Sequence, residues 1–130
     1  MALCMEDKLI FIVDDDKVIL NLLEYTFRSL EGYEVKTFYS GEDCLRNLAL
    51  KPSLIVLDHI FSLCGVDGMS GLDTLKELRK TNENIPVIIL SSQSDLSLVQ
   101  EFIQNGAIKY IPKIDYFIDT LVESVEKVMA

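Results

Sequence analysis

The sequence is short of what would take it to nucleic acid or a bilayer. It has 12 Lys and Arg against 21 Asp and Glu, a formal net charge of −9. No basic stripe offsets this. Phosphate backbones are held by Lys and Arg, so direct binding to nucleic acid is not expected. The longest apolar runs fall far short of the roughly 20 residues that span a bilayer, so no membrane association is expected either. The start, Met1-Ala2-Leu3-Cys4-Met5-Glu6-Asp7-Lys8, lacks the charged-then-apolar pattern of a signal peptide. Cys4, Cys44 and Cys64 are an odd set without metal-ligand spacing, which points to a reduced, cytoplasmic setting. Cys44 falls in a predicted helix and reads as a small core residue. Nothing basic near Cys64 would make it a reactive thiolate. The one histidine, His59, has no partner in its sequence neighbourhood, which favours a loop role over catalysis. Internal repeats, low-complexity tracts and linkers are absent. With 130 residues, 49% of them apolar, the chain is expected to form one domain over 1–130 with its core at about 9–128. No output domain is expected after the last helix.

What is present is acid at the ends of apolar runs. Leu9-Ile10-Phe11-Ile12-Val13 leads into Asp14-Asp15-Asp16, and Leu54-Ile55-Val56-Leu57 leads into Asp58. Continuous apolar runs are the mark of buried parallel strands, whose carboxyl ends open on the ligand crevice of an open α/β sheet. Carboxylates crowded there repel one another unless a cation joins them, and an all-oxygen cluster suits a hard ion such as Mg²⁺.

Strand-like and helix-like segments alternate along the whole chain. Leu9–Val13 is the first strand. Lys17–Leu30 follows as a helix with Val18, Ile19, Leu22, Leu23, Thr26 and Phe27 at helical spacing and Asp16 as N-cap. Glu34–Phe38 alternates like a half-exposed edge strand. Ser40-Gly41-Glu42-Asp43 opens a second helix through Ala49, and Pro52 precedes the strand Leu54–Leu57. Phe61 to Ser70 reads as a loop punctuated by glycine. Leu72–Lys80 is a helix with Leu72, Leu75 and Leu78 on one face, and Pro86–Leu90 is a strand. Asp95 caps a helix through Gln104 that carries Leu98, Val99, Phe102 and Ile103, and Asn105-Gly106 stops it. Lys109–Ile111 is a brief strand. Tyr116–Met129 is an amphipathic helix with Leu121, Val122, Val125 and Val128 as its stripe. Such alternation implies an α/β fold, a doubly wound five-stranded parallel sheet with five helices on its two faces.

In that fold the strand ends share one edge. They bring together Asp14, Asp15, Asp58, Ser91, Ser92 and Lys113. Carboxylates for a metal, a free carboxylate as nucleophile, a hydroxyl and an ammonium are the parts of phosphoryl transfer, where catalysis is mostly positioning and charge neutralisation. Read singly, each residue has a blander role. Asp14-Asp15-Asp16 serves as a solvated helix start, Asp58 as a turn residue, Tyr110 as core. Their coincidence favours the chemical reading, with Asp16 kept as a cap and Ser92 as a small residue that leaves the site open.

At these residues the sequence resembles the receiver domain of two-component response regulators, of the stand-alone type. The pieces are Ile12-Val13-Asp14-Asp15-Asp16, Ile55-Val56-Leu57-Asp58, Pro86-Val87-Ile88-Ile89-Leu90-Ser91-Ser92 and Gly106-Ala107-Ile108-Lys109-Tyr110-Ile111-Pro112-Lys113, in order and at the proper spacing. The resemblance implies a flavodoxin-like strand order 2-1-3-4-5. It implies Asp58 as phospho-acceptor, and Mg²⁺ held by Asp14, Asp15, Asp58 and the backbone carbonyl of Ile60, with Asp15 direct and Asp14 through water. Ser91 and Lys113 would bind the phosphoryl group, Tyr110 would be the aromatic switch, and Ile60 and Gln93 would tune dephosphorylation. The donor would be a sensor histidine kinase or a histidine phosphotransfer protein. A downstream protein effector would read the face of the fourth helix, fifth strand and fifth helix. Such a protein is a phosphorylated signalling protein that catalyses only its own phosphorylation and slow dephosphorylation.

Two features depart from the family pattern. The loop after Asp58 is about five residues longer if Gly71 matches the family's loop glycine. Ile114 stands where proline commonly follows the lysine, so the Lys113–Ile114 bond is expected to be trans. Two other functions fit parts of the chain. Asp14-Asp15-Asp16-Lys17-Val18 matches the Asp-x-Asp-x-Thr/Val pattern of haloacid-dehalogenase-like phosphatases, but that family needs a further acidic pair after the lysine and a substrate cap. A degenerate receiver acting as a binding scaffold would have lost the acceptor, the lysine or the acid pair, and all are present. Because apolar Ile60 cannot orient an attacking water, Ile60→Asn is expected to shorten the lifetime of the phosphorylated chain. Unchanged decay, followed by intact mass, would contradict this.

Overall fold

The computed structural model describes residues 7–58, 70–81, 84–92 and 95–130. In chain order they form β1 (Lys8–Val13), α1 (Lys17–Arg28), β2 (Tyr33–Phe38), α2 (Gly41–Arg46), a 3₁₀ turn at Leu48–Leu50, β3 (Leu54–Asp58), α3 (Gly71–Thr81), β4 (Val87–Ser91), α4 (Leu96–Gln104), β5 (Lys109–Pro112) and α5 (Phe117–Met129). The strands make one parallel sheet in the order β2-β1-β3-β4-β5, as expected.

Strand alternation sorts the core into two layers. Ile10, Ile12, Leu54, Val56, Ile88, Leu90 and Ile111 join Leu20, Leu23 and Phe27 of α1 and Leu121 and Val125 of α5. Phe11, Val13, Ile55, Leu57, Val87 and Ile89 join Cys44 of α2, Leu75 and Leu78 of α3 and Phe102 of α4. Both layers are dry, so β3 and β4 are buried along their full length. That is why their sequences are unbroken apolar runs. At the edge, β2 buries only Val35 and Phe38, with Glu34 and Lys36 in solvent.

The helix starts follow their caps. The Asp16 carboxylate accepts the amides of Val18 and Ile19, Ser40 Oγ accepts that of Asp43, and Asp95 accepts that of Ser97. Three helical readings need correction. In α1 the buried residues are Leu20, Leu23 and Phe27, while Val18 is 73% and Leu22 43% exposed. Apolar residues wrap more than half of this helix, so spacing alone does not choose the buried stripe; the sheet does. The second helix ends at Arg46 rather than Ala49, because the chain tightens into the 3₁₀ turn and leaves it through Lys51 at φ 59°. Ile103 and Val128, at helical spacing with core residues, are 45% and 36% exposed. The C-terminal bounds of β3 and β4 each move outward by one residue, and β4 begins at Val87 rather than Pro86, so Asp58 and Ser91 are the last residues of their strands and not loop residues.

Helices α2 and α3 meet at a glycine. A Cβ on Gly41 would fall on Oγ1 of Thr74, which is buried and donates to the Ser70 carbonyl at 2.9 Å. Gly41→Ala is expected to lower stability in urea denaturation by about 1–3 kcal/mol, the usual range for overpacking. Most of that loss should vanish in a Thr74→Ala background. Equal losses in both backgrounds would show that the contact does not set the packing.

Candidate functional site

Parallel register brings the polar residues to one edge. Val13 pairs with Leu57 and Leu57 with Ile89, so the residues that follow, Asp14 and Asp58, are neighbours just above the core. Asp58 itself pairs with Leu90, and Ser91 with Pro112, which sets Lys113 at the same level. The Asp14 amide donates to the Phe38 carbonyl at 3.0 Å, and the Lys113 amide to the Ser91 carbonyl at 2.7 Å. The two loops that carry charge are thus tied to the sheet by their backbones.

Alternation also decides which residues meet. Asp14 and Asp58 continue the parity of Ile12 and Val56, toward the layer under α1 and α5. Ser91 continues that of Ile89, toward the layer under α3 and α4. Tyr110 packs against that same layer, its ring 5.7 Å from that of Phe102. Tyr110 hydrogen-bonds with Ser91; burial raises the pKa of its phenol, and this bond opposes the rise.

The charged cluster is small and mostly buried. Asp14 and Asp58 are 1% and 4% exposed. Lys113 Nζ lies 2.6 Å from Asp58 Oδ1 and 3.2 Å from Asp14 Oδ2. The other oxygen of Asp14, Oδ1, accepts the Asp16 amide at 2.9 Å. Sequence reading gave Asp16 only its cap role; this backbone bond depends on a turn that spacing does not reveal. Asp15 is exposed at the rim. Carboxylate oxygens of Asp14, Asp15 and Asp58 all lie within 4.8 Å of one another.

One ammonium does not balance three carboxylates. Burial pushes the Asp58 carboxyl up to about 7, against the hydrogen bond from Lys113, and the charge of Asp14 pushes the same way. Asp14 is raised by burial, with the Asp16 amide and Lys113 opposing. Asp15 is raised by burial and by the charge of Asp14. For Lys113 burial disfavours the charge, but the hydrogen bond and charge of Asp58 outweigh it and the pKa rises.

A divalent cation fits this donor set. Three carboxylate oxygens within 4.8 Å of one another are the donor type that a hard cation such as Mg²⁺ would take. Two added positive charges would offset the excess of carboxylate over ammonium.

Of the residues picked out from sequence, the structure gathers the carboxylates of Asp14, Asp15 and Asp58, sets Lys113 against Asp14 and Asp58, and bonds Ser91, at the end of the neighbouring strand, to Tyr110. Asp16 is the cap expected of it. Ile60, Gln93, His59 and Cys64 lie outside the described residues, as does Cys4. No cis peptide occurs among the described residues, so Lys113–Ile114 is trans, and Lys113 reaches the acids without a following proline.

The chain is similar to known proteins over nearly its full length. The response regulator receiver domain family model matches residues 10–126. The DNA-binding transcriptional regulator NtrC of Escherichia coli (strain K12) is 33% identical over 126 residues, covering 97% of this chain and 26% of that protein. The chain therefore spans about a quarter of the length of that regulator. Sporulation initiation phosphotransferase F of Bacillus subtilis (strain 168) is 32% identical over 124 residues, 95% of this chain and 94% of that one. Among solved structures, a CheY-like response regulator receiver domain protein from Methanospirillum hungatei JF-1 superposes with a TM-score of 0.80 at 26% identity, over 95% of this chain and 94% of that one.

The raised Asp58 carboxyl has a consequence for stability. Below pH about 3.8 it is protonated folded or unfolded, and burial carries no charge penalty. Between about 4 and 7 the unfolded chain releases the proton while the fold retains it, so the fold loses stability as pH rises, by at most about 4 kcal/mol. Asp58→Asn should therefore melt higher than the wild type at pH 8 without divalent ions and match it near pH 4. A variant that melts lower at pH 8 would contradict this.

Proposed function

This chain belongs to the response regulator receiver domain family, and from that membership we propose that Asp58 is the phosphoryl acceptor of a signalling switch. The observation that carries the assignment is the burial of Asp58 at the end of β3, 2.6 Å from Lys113 and within reach of two further carboxylates. In the transfer, a carboxylate oxygen of Asp58 forms a bond to phosphorus as the bond from phosphorus to the donor's imidazole nitrogen breaks. The imidazole leaves with that electron pair. Lys113 pairs with the incoming phosphoryl oxygens, and the Ser91 hydroxyl donates to one of them. Asp14, Asp15, Asp58 and the Ile60 carbonyl would hold Mg²⁺, which when bound offsets the charge of carboxylates and phosphoryl group. Asp14, with one oxygen on the Asp16 amide and the other on Lys113, is suited to act through water. Ile60 and Gln93 would set how readily water attacks the acyl phosphate.

The donor would be phosphohistidine on a sensor kinase or a phosphotransfer protein. The readout would be the face of α4, β5 and α5, with Tyr110 turning inward as Ser91 moves toward the phosphoryl group. Leu96, Ile103 and Ile108, all exposed, give that region apolar contacts for a protein partner. A cytoplasmic setting belongs to the same proposal, on the reduced-thiol reading of the cysteines. No described helix is long and apolar enough to cross a membrane. The relative named as a phosphotransferase matches over nearly all of its own length, which supports onward transfer of the phosphoryl group as one output. The phosphatase and scaffold readings are not favoured: the family match spans the chain, and acceptor, lysine and acid pair are all retained.

Incubation with acetyl phosphate and Mg²⁺, followed by intact mass, should show one phosphoryl group on the wild type and none on Asp58→Asn. Lys113→Ala should acquire it about 100-fold more slowly. An adduct that persists in Asp58→Asn, or steady turnover of small phosphate esters, would overturn the assignment.

A further inference from the structure

Helix α4 is held unevenly. Of its residues Leu96 to Gln104 only Phe102, in the last turn, is buried. At its start, among the described residues, the Asp95 cap on Ser97 is the polar anchor, Leu98 packs on the buried layer only half-buried, and Leu96 is 69% exposed. Its end is fastened in several ways. The Gly106 amide donates to the Ile103 carbonyl and the Ala107 amide to that of Phe102, both at 3.0 Å. This is the paired closure of a Schellman motif, with Gly106 in the left-handed position at φ 105°. Phe102 and Ala107 both lie in the buried layer, and the Ile108 amide donates to Val87 of β4 at 2.9 Å.

A second helix closes over that end. Arg79, in the last turn of α3, donates from Nη2 to the Gly106 carbonyl at 2.7 Å. Its Nε lies 2.5 Å from where a Gly106 Cβ would stand, so the side chain occupies the space that the missing Cβ leaves open. The guanidinium is partly buried, and that burial lowers its pKa. A charged donor to a carbonyl at a helix C-terminus also complements the helix dipole.

We propose that Arg79 is a positioning residue that clamps the C-terminal end of α4, making it the fixed pivot about which the opposite end moves when the site near Ser91 is phosphorylated. The pivot rests on the phospho-acceptor reading; the clamp does not. The end of α4 near the acids then responds, while Arg79 and the sheet hold the other end at the far edge of the sheet.

Hydrogen exchange of the full chain tests both parts. Without phosphorylation, Arg79→Ala should speed exchange of the Gly106, Ala107 and Ile108 amides about tenfold. Arg79→Lys keeps the charge and loses the fork, so it should fall in between; it also serves if Arg79→Ala folds poorly. After acetyl phosphate and Mg²⁺, with equal adduct confirmed by intact mass, wild-type changes should be confined to Leu96–Val99. In Arg79→Ala they should spread to Phe102–Ala107. Unchanged exchange at Gly106–Ile108 in both variants would overturn the clamp. A wild-type response spread evenly over α4 would overturn the pivot. No adduct in the wild type would overturn the phospho-acceptor reading and the pivot with it, and the unphosphorylated comparison would still decide the clamp.

Discussion

Two buried carboxylates, Asp14 and Asp58, share one ammonium, that of Lys113, at the carboxyl end of a parallel sheet. Asp15 adds a third negative charge at the rim. A charge removed from water needs a partner of opposite sign, and here acids outnumber bases. The structure holds this imbalance because its strands are anchored below it. The core residues of β1, β3 and β4 are almost wholly buried, and their register leaves Asp14 and Asp58 nowhere else to go. The raised carboxyl of Asp58 follows first from its burial, and the charge of Asp14 adds to it. Either a proton or a cation relieves the imbalance.

The alternation of the strands then divides the labour. Asp14 and Asp58 fall on one parity, above the layer that α1 and α5 cover. Ser91 and Tyr110 fall on the other, against Phe102 of α4. The acids and the Ser91–Tyr110 pair thus lie on opposite faces of one sheet and meet only at the strand ends. In the proposed switch Ser91 would link them, since the preceding Leu90 pairs with Asp58 and Ser91 bonds to Tyr110.

Much of this was legible in the sequence because burial on two faces leaves an unmistakable trace. The runs Leu54–Leu57 and Val87–Leu90 have no polar residue to confuse them, and each ends in the group that matters. Asp16, Ser40 and Asp95 announced their helices through chemistry that acts within three residues. What stayed hidden depends on distant partners. Apolar residues wrap most of α1, so only the sheet determines that Leu20 is buried and Val18 is not. The bond from the Asp16 amide to Asp14 needs a turn that any sequence with an acid there could decline. The bond from Arg79 to Gly106 joins residues 27 positions apart, and an arginine near a helix end looks like ordinary solvated charge.

The excess of buried acid over base at Asp58 is tested most directly by following its side-chain carboxyl carbon by NMR as pH is varied, with and without Mg²⁺. Without the ion, Asp58 should titrate near pH 7, and with saturating Mg²⁺ its midpoint should fall well below that. A midpoint near 4 in the metal-free protein, unmoved by Mg²⁺, would contradict a charge-starved site that a cation completes.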